Sequence, residues 1–237
     1  MTDAIWANSA ARFYAGALDR SDYGAAVAHA MVGAAPESLL DIGAGAGHSV
    51  APWLPHVSRW TAIEPNRYLR ARLGRLPHAV TAMNARWEAL PTLPHHAWAW
   101  AANIGATQTH PRELLHCMRG LARERVVWLV PAQVGPRRWC LSGALPASLH
   151  GEDERPAVES ILAALDDPPQ RVLTAPWTFR ARFDGLAGAV DHCAALIGAS
   201  QRDAIAQHLT ATAVALPCGG VELVAPKLSA ILIWDLA

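Results

Sequence analysis

Three glycines alternate with other residues directly after a short apolar run near the start of the chain. The run at 38–42 contains Asp41 and leads into Gly43, Gly45 and Gly47. Glycine tolerates positive φ angles and has no Cβ, so the backbone of such a loop can approach a ligand closely. If a helix follows, amides of the loop and of the first helical turn can face that ligand. The pattern therefore predicts a nucleotide-type binding loop at the end of a buried strand.

Two common nucleotide-binding loops fit this segment poorly. A dinucleotide fingerprint needs G-x-G-x-x-G, but His48 stands where the third glycine would fall when counting starts at Gly43. A phosphate-binding Walker loop needs a Gly-Lys pair followed by Ser or Thr, and the single lysine of the chain is Lys227, near its end. The spacing here is G-x-G-x-G, preceded by an aspartate.

Glu64 is a second candidate ligand residue, because it ends the next predicted strand at 60–63. A carboxylate at this place can accept hydrogen bonds from both hydroxyls of a ribose, a fit that neutral side chains match poorly. NAD sites use a similar acid, so Glu64 alone does not decide the cofactor, whereas the glycine spacing does.

The pattern D-x-G-x-G-x-G, with an acid at the end of the following strand, resembles motif I of the class I S-adenosylmethionine (SAM) dependent methyltransferases. The resemblance covers 37–133 well and 171–236 loosely. It implies SAM as cofactor and S-adenosylhomocysteine (SAH) as product. It also implies that the loop of Gly43, Gly45 and Gly47 approaches the amino-acid part of SAM, and that Asp41 helps to hold the ammonium group, often through water.

The segment after the third predicted strand departs from this family. Many members carry an acidic residue a few positions before a Leu-Pro pair, where it contacts the adenine amino group. Arg86 occupies roughly that place in this chain. Arg86 and Trp87 are therefore candidates to stack on adenine, and backbone groups are the alternative.

The fourth predicted strand ends at Asn103, which the resemblance places beside the transferred methyl group. Asn103 is therefore predicted to contact both cofactor and acceptor. His110, on the loop that follows, is a candidate general base, because a neutral imidazole is available near pH 7. A structural or solvated histidine is the alternative for this position.

Short apolar runs alternate with helical stretches along the first half of the chain. This alternation predicts an α/β fold with a mostly parallel, doubly wound sheet. The family resemblance implies a Rossmann-like three-layer sandwich with seven strands in the order 3-2-1-4-5-7-6. The predicted strands are 38–42, 60–63, 79–83, 97–102, 126–130, 172–183 and 228–236. The predicted helices are two within 3–34, then 49–55, 66–74, 111–122, 156–165, 186–197 and 202–212.

We expect one SAM-binding domain over 1–237. Residues 1–35 form an N-terminal helical cap in this prediction, and 135–170 form an insertion after the fifth strand. Both segments are predicted to make a lid over the acceptor. Tyr14 and Tyr23 of the cap either cover the cofactor or pack against the sheet.

Charge and composition narrow the classes of binding partner to be expected. The chain carries twenty basic and twenty acidic side chains, so it lacks the basic excess that is usual for proteins binding nucleic acid. We expect no nucleic acid partner and no membrane association, because no apolar run could span a bilayer. The start of the chain has no signal-peptide pattern, so the predicted location is the cytoplasm.

Histidine and cysteine spacing predicts no metal site. Cys117 and Cys193 share apolar helix stripes, which favours a packing role for both over metal or thiol chemistry. The pair His95-His96 lies beside Pro94 and is predicted to be solvated.

SAM-dependent methyl transfer to a small-molecule acceptor is the predicted function. Displacement at an activated sulfonium methyl needs mainly proximity and alignment, which explains why no catalytic residue stands out. The alternatives are an RNA or protein methyltransferase, an enzyme that uses the aminocarboxypropyl group of SAM, and a SAM-binding protein without activity. The oligomeric state and the acceptor are not encoded in these patterns.

Overall fold

The computed structural model describes residues 8–33, 35–104, 110–134, 143–151, 155–217 and 219–236. Its strands are β1 (Ser38–Ile42), β2 (Arg59–Ile63), β3 (Thr81–Met83), β4 (His96–Ala102), β5 (Ala122–Pro131), β6 (Arg171–Phe183), β7 (Val214–Ala215) and β8 (Val221–Asp235). Its α-helices are α1 (Asn8–Leu18), α2 (Tyr23–Ala30), α3 (Arg67–Leu73), α4 (Pro111–Leu121), α5 (Ala147–His150), α6 (Ala157–Ala164), α7 (Leu186–Ile197) and α8 (Arg202–Thr212). Single 3-10 turns lie at Leu54–His56, Trp87–Ala89 and Ala199–Gln201.

One sheet organises these elements, with the strand order β3-β2-β1-β4-β5-β8-β6. Strands β1 to β5 run parallel, and β8 pairs antiparallel with both β5 and β6. The predicted α/β class and Rossmann-like sandwich are therefore confirmed. The strand count differs by one, because the two-residue strand β7 pairs with β8 and makes eight. When β7 is left out and β8 is counted as the seventh strand, the observed order is the predicted 3-2-1-4-5-7-6.

Alternation along the central strands divides the core into two layers. In β1, Leu39 packs with the layer that contains Trp100 and residues of α7 and α8, whereas Leu40 and Ile42 pack with the layer of α4 and α6. All five residues of β1 are buried. A strand covered on both faces in this way is typical of a parallel sheet between helices. Asp41 lies on the same side as Leu39, so its carboxylate faces a largely apolar layer.

The segment after the glycine loop differs from the prediction. We expected a helix over 49–55, but the chain forms successive turns there and ends them in a 3-10 turn. Pro52 and Pro55 lack the N–H that an α-helix requires, which explains the difference. The segment is held by tertiary contacts instead. Ser49 accepts a hydrogen bond from the Trp100 indole at 3.1 Å, and the Trp53 ring lies 5.2 Å from that of Trp100.

His96 was predicted to be solvated, and this is wrong. It begins β4 with no exposed surface. Its ring nitrogens lie 2.9 Å from the Pro94 carbonyl oxygen and 2.9 Å from the Thr61 hydroxyl. Both polar atoms of the ring are therefore satisfied inside the core, which makes burial of a neutral histidine acceptable. Burial also lowers the pKa of His96.

The N-terminal helices lie against the edge strand β6. The backbone N–H of Thr178 in β6 donates a hydrogen bond of 2.6 Å to Asp22, immediately before α2. The Tyr23 ring packs 4.7 Å from that of Trp177.

Helix α6, in the second part of the predicted insertion, lies near α4, where Arg112 donates to the Ala164 carbonyl at 2.6 Å. Residues 135–142 and 152–154 of that insertion lie outside the described ranges.

Candidate functional site

The glycine loop adopts the conformation that its sequence requires. The φ angles of Gly43, Gly45 and Gly47 are 66°, 58° and 82°, a region that residues with a Cβ rarely enter. Space is also limiting at Gly43, where a Cβ would lie 2.9 Å from Ile104. The loop begins with a backbone hydrogen bond of 2.8 Å from Gly43 to the Ile63 carbonyl, so β2 fixes its position.

Glu64 lies directly beside this loop at the end of β2. Its two carboxylate oxygens accept backbone hydrogen bonds from Gly45, at 2.8 Å, and from Asn66, at 2.7 Å. The side chain is only 6% exposed. Burial raises the pKa of Glu64, while the two amides and the Arg70 guanidinium act in the opposite direction. The carboxylate is thus held in one orientation, and each oxygen keeps a lone pair for a ligand hydroxyl.

Asp41 lies beneath the loop and is 1% exposed. Neither of its oxygens has a hydrogen-bond partner among the described residues. Burial raises its pKa to about 8 and the nearby Glu64 charge contributes, while the Trp60 indole, which lies close to the carboxylate without forming a hydrogen bond of ordinary geometry, opposes the shift. An unpartnered buried carboxylate is costly, and it is a feature that an approaching cationic group would relieve.

A cavity of 430 Å³ follows the carboxyl ends of four neighbouring strands. Of the predicted ligand residues, Gly43, Gly45, Glu64, Arg86, Trp87 and Asn103 line it. Gly47 and Asp41 do not reach its surface. In sheet order the wall runs from Trp87 after β3, through Glu64 and the glycine loop, to Asn103 after β4. A crevice at this edge of an open α/β sheet is where ligands of such folds bind.

Arg86 and Trp87 form the end of the cavity next to β3. The Arg86 side chain is 53% exposed, and its Nε lies 3.6 Å from a carboxylate oxygen of Glu88. The Trp87 indole N–H is buried without a hydrogen-bond partner among the described residues. Glu88 also lines the cavity, although our sequence analysis missed it. An acidic residue close to the Leu90-Pro91 pair was the signal available for finding it.

Asn103 forms the opposite end of the cavity. It is the one non-glycine residue with a positive φ, 52°, in the described part of the chain. Such conformations are uncommon and concentrate at functional sites. Its side-chain amide donates a hydrogen bond of 2.9 Å to the Tyr23 hydroxyl, and Tyr23 lines the cavity as well. The contact joins the N-terminal helices to the end of β4.

His110, the predicted general base, lies apart from this group. Its side chain is 58% exposed, and Nδ1 lies 3.6 Å from a Glu113 oxygen on the next turn of α4. It is absent from the cavity wall formed by the described residues. Residues 105–109, which connect it to the end of β4, lie outside those ranges, so a catalytic role for His110 stays a prediction. The same holds for the predicted lid at 135–170, since none of its described residues lines the cavity.

His48 is a second wall residue that our site prediction left out. It follows Gly47, and its Nε2 lies 2.9 Å from an oxygen of Asp19, directly after α1. The sequence analysis considered His48 only because it replaces the third glycine of the dinucleotide-binding fingerprint. A histidine within a ligand loop was the available signal, but its partner is 29 residues away in sequence and could not be inferred.

Metal chemistry gains no support from the described residues, where no three His, Cys, Asp or Glu side chains are placed to share an ion. Cys193 is fully buried and Cys117 is half-buried, as the apolar stripes predict. Burial raises the pKa of both thiols, that of Cys193 to about 11. Across the described ranges, no helix is long and apolar enough to cross a bilayer.

Neither a family model nor a curated protein sequence matches this chain. Many solved structures resemble it, and two of them serve as examples. A candidate methyltransferase from Bacillus halodurans is 11% identical with a TM-score of 0.51, over 90% of this chain and 98% of that one. A candidate type II methyltransferase from Anaeromyxobacter dehalogenans is 24% identical with a TM-score of 0.50, over 84% and 89%. These likenesses show the Rossmann-like fold that class I methyltransferases share.

Proposed function

We propose that this chain binds SAM in the 430 Å³ cavity and transfers its methyl group to a small-molecule acceptor. The observation that carries this proposal is the grouping of Glu64, the left-handed glycine loop and Asn103 around one cavity. Each lies at the carboxyl end of a different, neighbouring strand. The class I methyltransferase fold places its cofactor at this edge.

The residues present fit this cofactor. Glu64 has a fixed carboxylate that can accept hydrogen bonds from two ribose hydroxyls. The unpartnered carboxylate of Asp41 lies behind the cavity wall and suits an ammonium group that it would reach through water. The absence of a Cβ at Gly45, whose backbone amide already contacts Glu64, lets the loop backbone approach the ligand. Trp87 and Arg86 offer flat surfaces for adenine at the β3 end.

SAM supplies an electrophilic methyl group on a sulfonium, so the protein has mainly to align the acceptor and exclude water. Asn103 and Tyr23 border the end of the cavity where the acceptor would enter, and Tyr14 and Leu18 of α1 complete that wall. These four side chains are aromatic, apolar or neutral. They favour an acceptor without a strong charge next to the reacting atom.

An RNA acceptor is the second candidate, and one observation favours it. Between Glu64 and Glu88 the chain carries five arginines and no acidic residue. Three of these are already engaged, since Arg70 donates to backbone carbonyls and Arg72 and Arg86 contact acidic side chains. The remaining two, Arg67 and Arg75, are exposed and form no ion pair within the described ranges. Two cations give a weak electrostatic surface for a polyanion, so the small-molecule proposal is preferred.

Calorimetric titration with SAM, SAH and NAD tests the proposal. We expect micromolar binding of the two sulfur nucleosides and none of NAD. An acceptor screen read by product mass then separates the alternatives. A gain of one methylene supports methyl transfer, and a larger gain indicates transfer of the aminocarboxypropyl group. Binding of NAD alone, or of none of the three, would refute SAM as the cofactor.

A further inference from the structure

His48 is the one histidine on the wall of the cavity that the described residues form. It follows the last glycine of the loop, and its side chain is 18% exposed. Burial lowers the pKa of His48, although its contact with Asp19 partly opposes the shift. The ring is therefore neutral near pH 7, with one nitrogen carrying a proton and the other a lone pair.

The contact with Asp19 decides which nitrogen carries the proton. Nε2 lies 2.9 Å from an oxygen of Asp19, and the same oxygen accepts a hydrogen bond of 2.5 Å from Arg72 in α3. Burial alone would raise the pKa of Asp19, but the hydrogen bonds from Arg72 and His48 lower it below its ordinary value. Asp19 is therefore ionised and can only accept. Nε2 must donate, which leaves the lone pair on Nδ1.

The backbone of His48 is fixed from a second side. A Cβ added to Gly24 in α2 would lie 2.6 Å from the His48 carbonyl oxygen, so α2 packs directly on this peptide group. Asp19 lies between α1 and α2, and Arg72 lies in α3. Asp19, itself bonded to Arg72 of α3, thus fixes the imidazole of His48, and α2 packs on the backbone of the same residue of the cavity wall. These contacts distinguish His48 from a solvated loop histidine.

We propose that Nδ1 of His48 accepts a hydrogen bond from the ammonium group of the bound nucleoside, and that Asp19 positions His48 for this contact. The inference rests on the proposed function, because the resemblance places the amino-acid part of SAM at this loop. An ammonium group has three N–H donors and no acceptor, so it complements a nitrogen that can only accept. Asp19 and Arg72 do not line the cavity and act through His48.

Three ligands test this assignment by calorimetry. SAH has both ammonium and carboxylate groups, decarboxylated SAM retains the ammonium alone, and methylthioadenosine has neither. We expect His48→Ala to weaken SAH and decarboxylated SAM by about ten- to hundredfold, as for a hydrogen bond to a charged group. Methylthioadenosine should bind within about twofold of the wild-type value, because it does not reach His48. His56→Ala, an exposed histidine of the following turn, is the matched control.

Two further variants test the positioning role. Asp19→Ala frees the imidazole, and Gly24→Ala displaces its backbone, so each should weaken the same two ligands by a smaller factor than His48→Ala. Equal loss for all three ligands would overturn the inference, because it would indicate general disruption of the cavity. Loss for SAH but not for decarboxylated SAM would also overturn it, since the contact would then be to the carboxylate. Failure of wild-type protein to bind any of them refutes the proposed function instead.

Discussion

The buried carboxylate of Asp41 gives the most quantitative expectation. Its pKa is raised from an ordinary value of 3.8 to about 8, chiefly by burial and then by the charge of Glu64. In the unfolded chain the group loses its proton near its ordinary pKa, whereas in the folded protein it keeps the proton until the pH approaches the raised value. Between these two limits the folded state binds one proton more than the unfolded state. Stability must therefore fall as the pH rises through this window.

The size of the effect follows from proton linkage. One extra proton in the folded state corresponds to a loss of about 1.4 kcal/mol in the free energy of unfolding for each pH unit. From about pH 5 to pH 7 the loss from Asp41 amounts to about 3 kcal/mol. Asp41→Asn has no proton to keep and should flatten the profile by this amount. Glu64, whose pKa is also raised, contributes in the same direction to both proteins, so the comparison isolates Asp41.

Urea unfolding followed by tryptophan fluorescence, at several pH values in this range, measures the two profiles. Asp184→Asn, which alters an exposed aspartate, is the control and should keep the wild-type slope. Saturating SAH should also flatten the wild-type profile, because a nearby ammonium favours the ionised carboxylate. Parallel profiles for wild type and Asp41→Asn would refute the reasoning, since they would mean that Asp41 is already ionised in the folded protein.

Other perturbations have equally definite expectations. Glu64→Ala and Gly45→Val should each abolish SAM binding in calorimetry while leaving a folded far-UV spectrum, because one removes the ribose acceptor and the other puts a β-branched residue at a φ of 58°; wild-type affinity in both folded variants would contradict the site. Gly120→Ala, in α4 with open space around its added Cβ, is the control and should leave binding unchanged. Trp100→Ala should lower the free energy of unfolding by about 3–5 kcal/mol in denaturant titrations, since the side chain is fully buried; a loss below about 1 kcal/mol would mean that the core refills the space. The buried thiol of Cys193, with a pKa of about 11, should react with iodoacetamide only after unfolding, and rapid labelling of native protein by peptide mapping would show that α7 opens.

The sequence predicted most of the sheet because its strands carry local signals. Five short apolar runs, each bounded by glycine, proline or polar residues, became the five parallel strands. The helix predicted over 49–55 failed for a local reason, since Pro52 and Pro55 outweigh the apolar spacing. The start of β8 at Val221, rather than at 228, depends on pairing with the long strand β6, and no local pattern reports that pairing.

The candidate site was predictable where one segment supplies the chemistry. Asp41, the glycine loop and Glu64 needed only strand ends and their spacing. The contacts of Asn103 with Tyr23 and of His48 with Asp19 were not predictable, because they join segments 80 and 29 residues apart. His96 failed for the same reason. Its burial depends on the Thr61 hydroxyl, which only the folded sheet brings within reach.

The hydrogen bond from Thr178 to Asp22 has a consequence for self-association. Strand β6 ends the sheet, and an edge strand offers unpaired amides to which a strand of a second molecule can add. The Thr178 amide points outward but is already bonded to Asp22. Two residues earlier, on the same side of the strand, Pro176 has no amide hydrogen to donate. Two successive outward donor positions are therefore closed, which opposes the edge-to-edge growth that leads to aggregation.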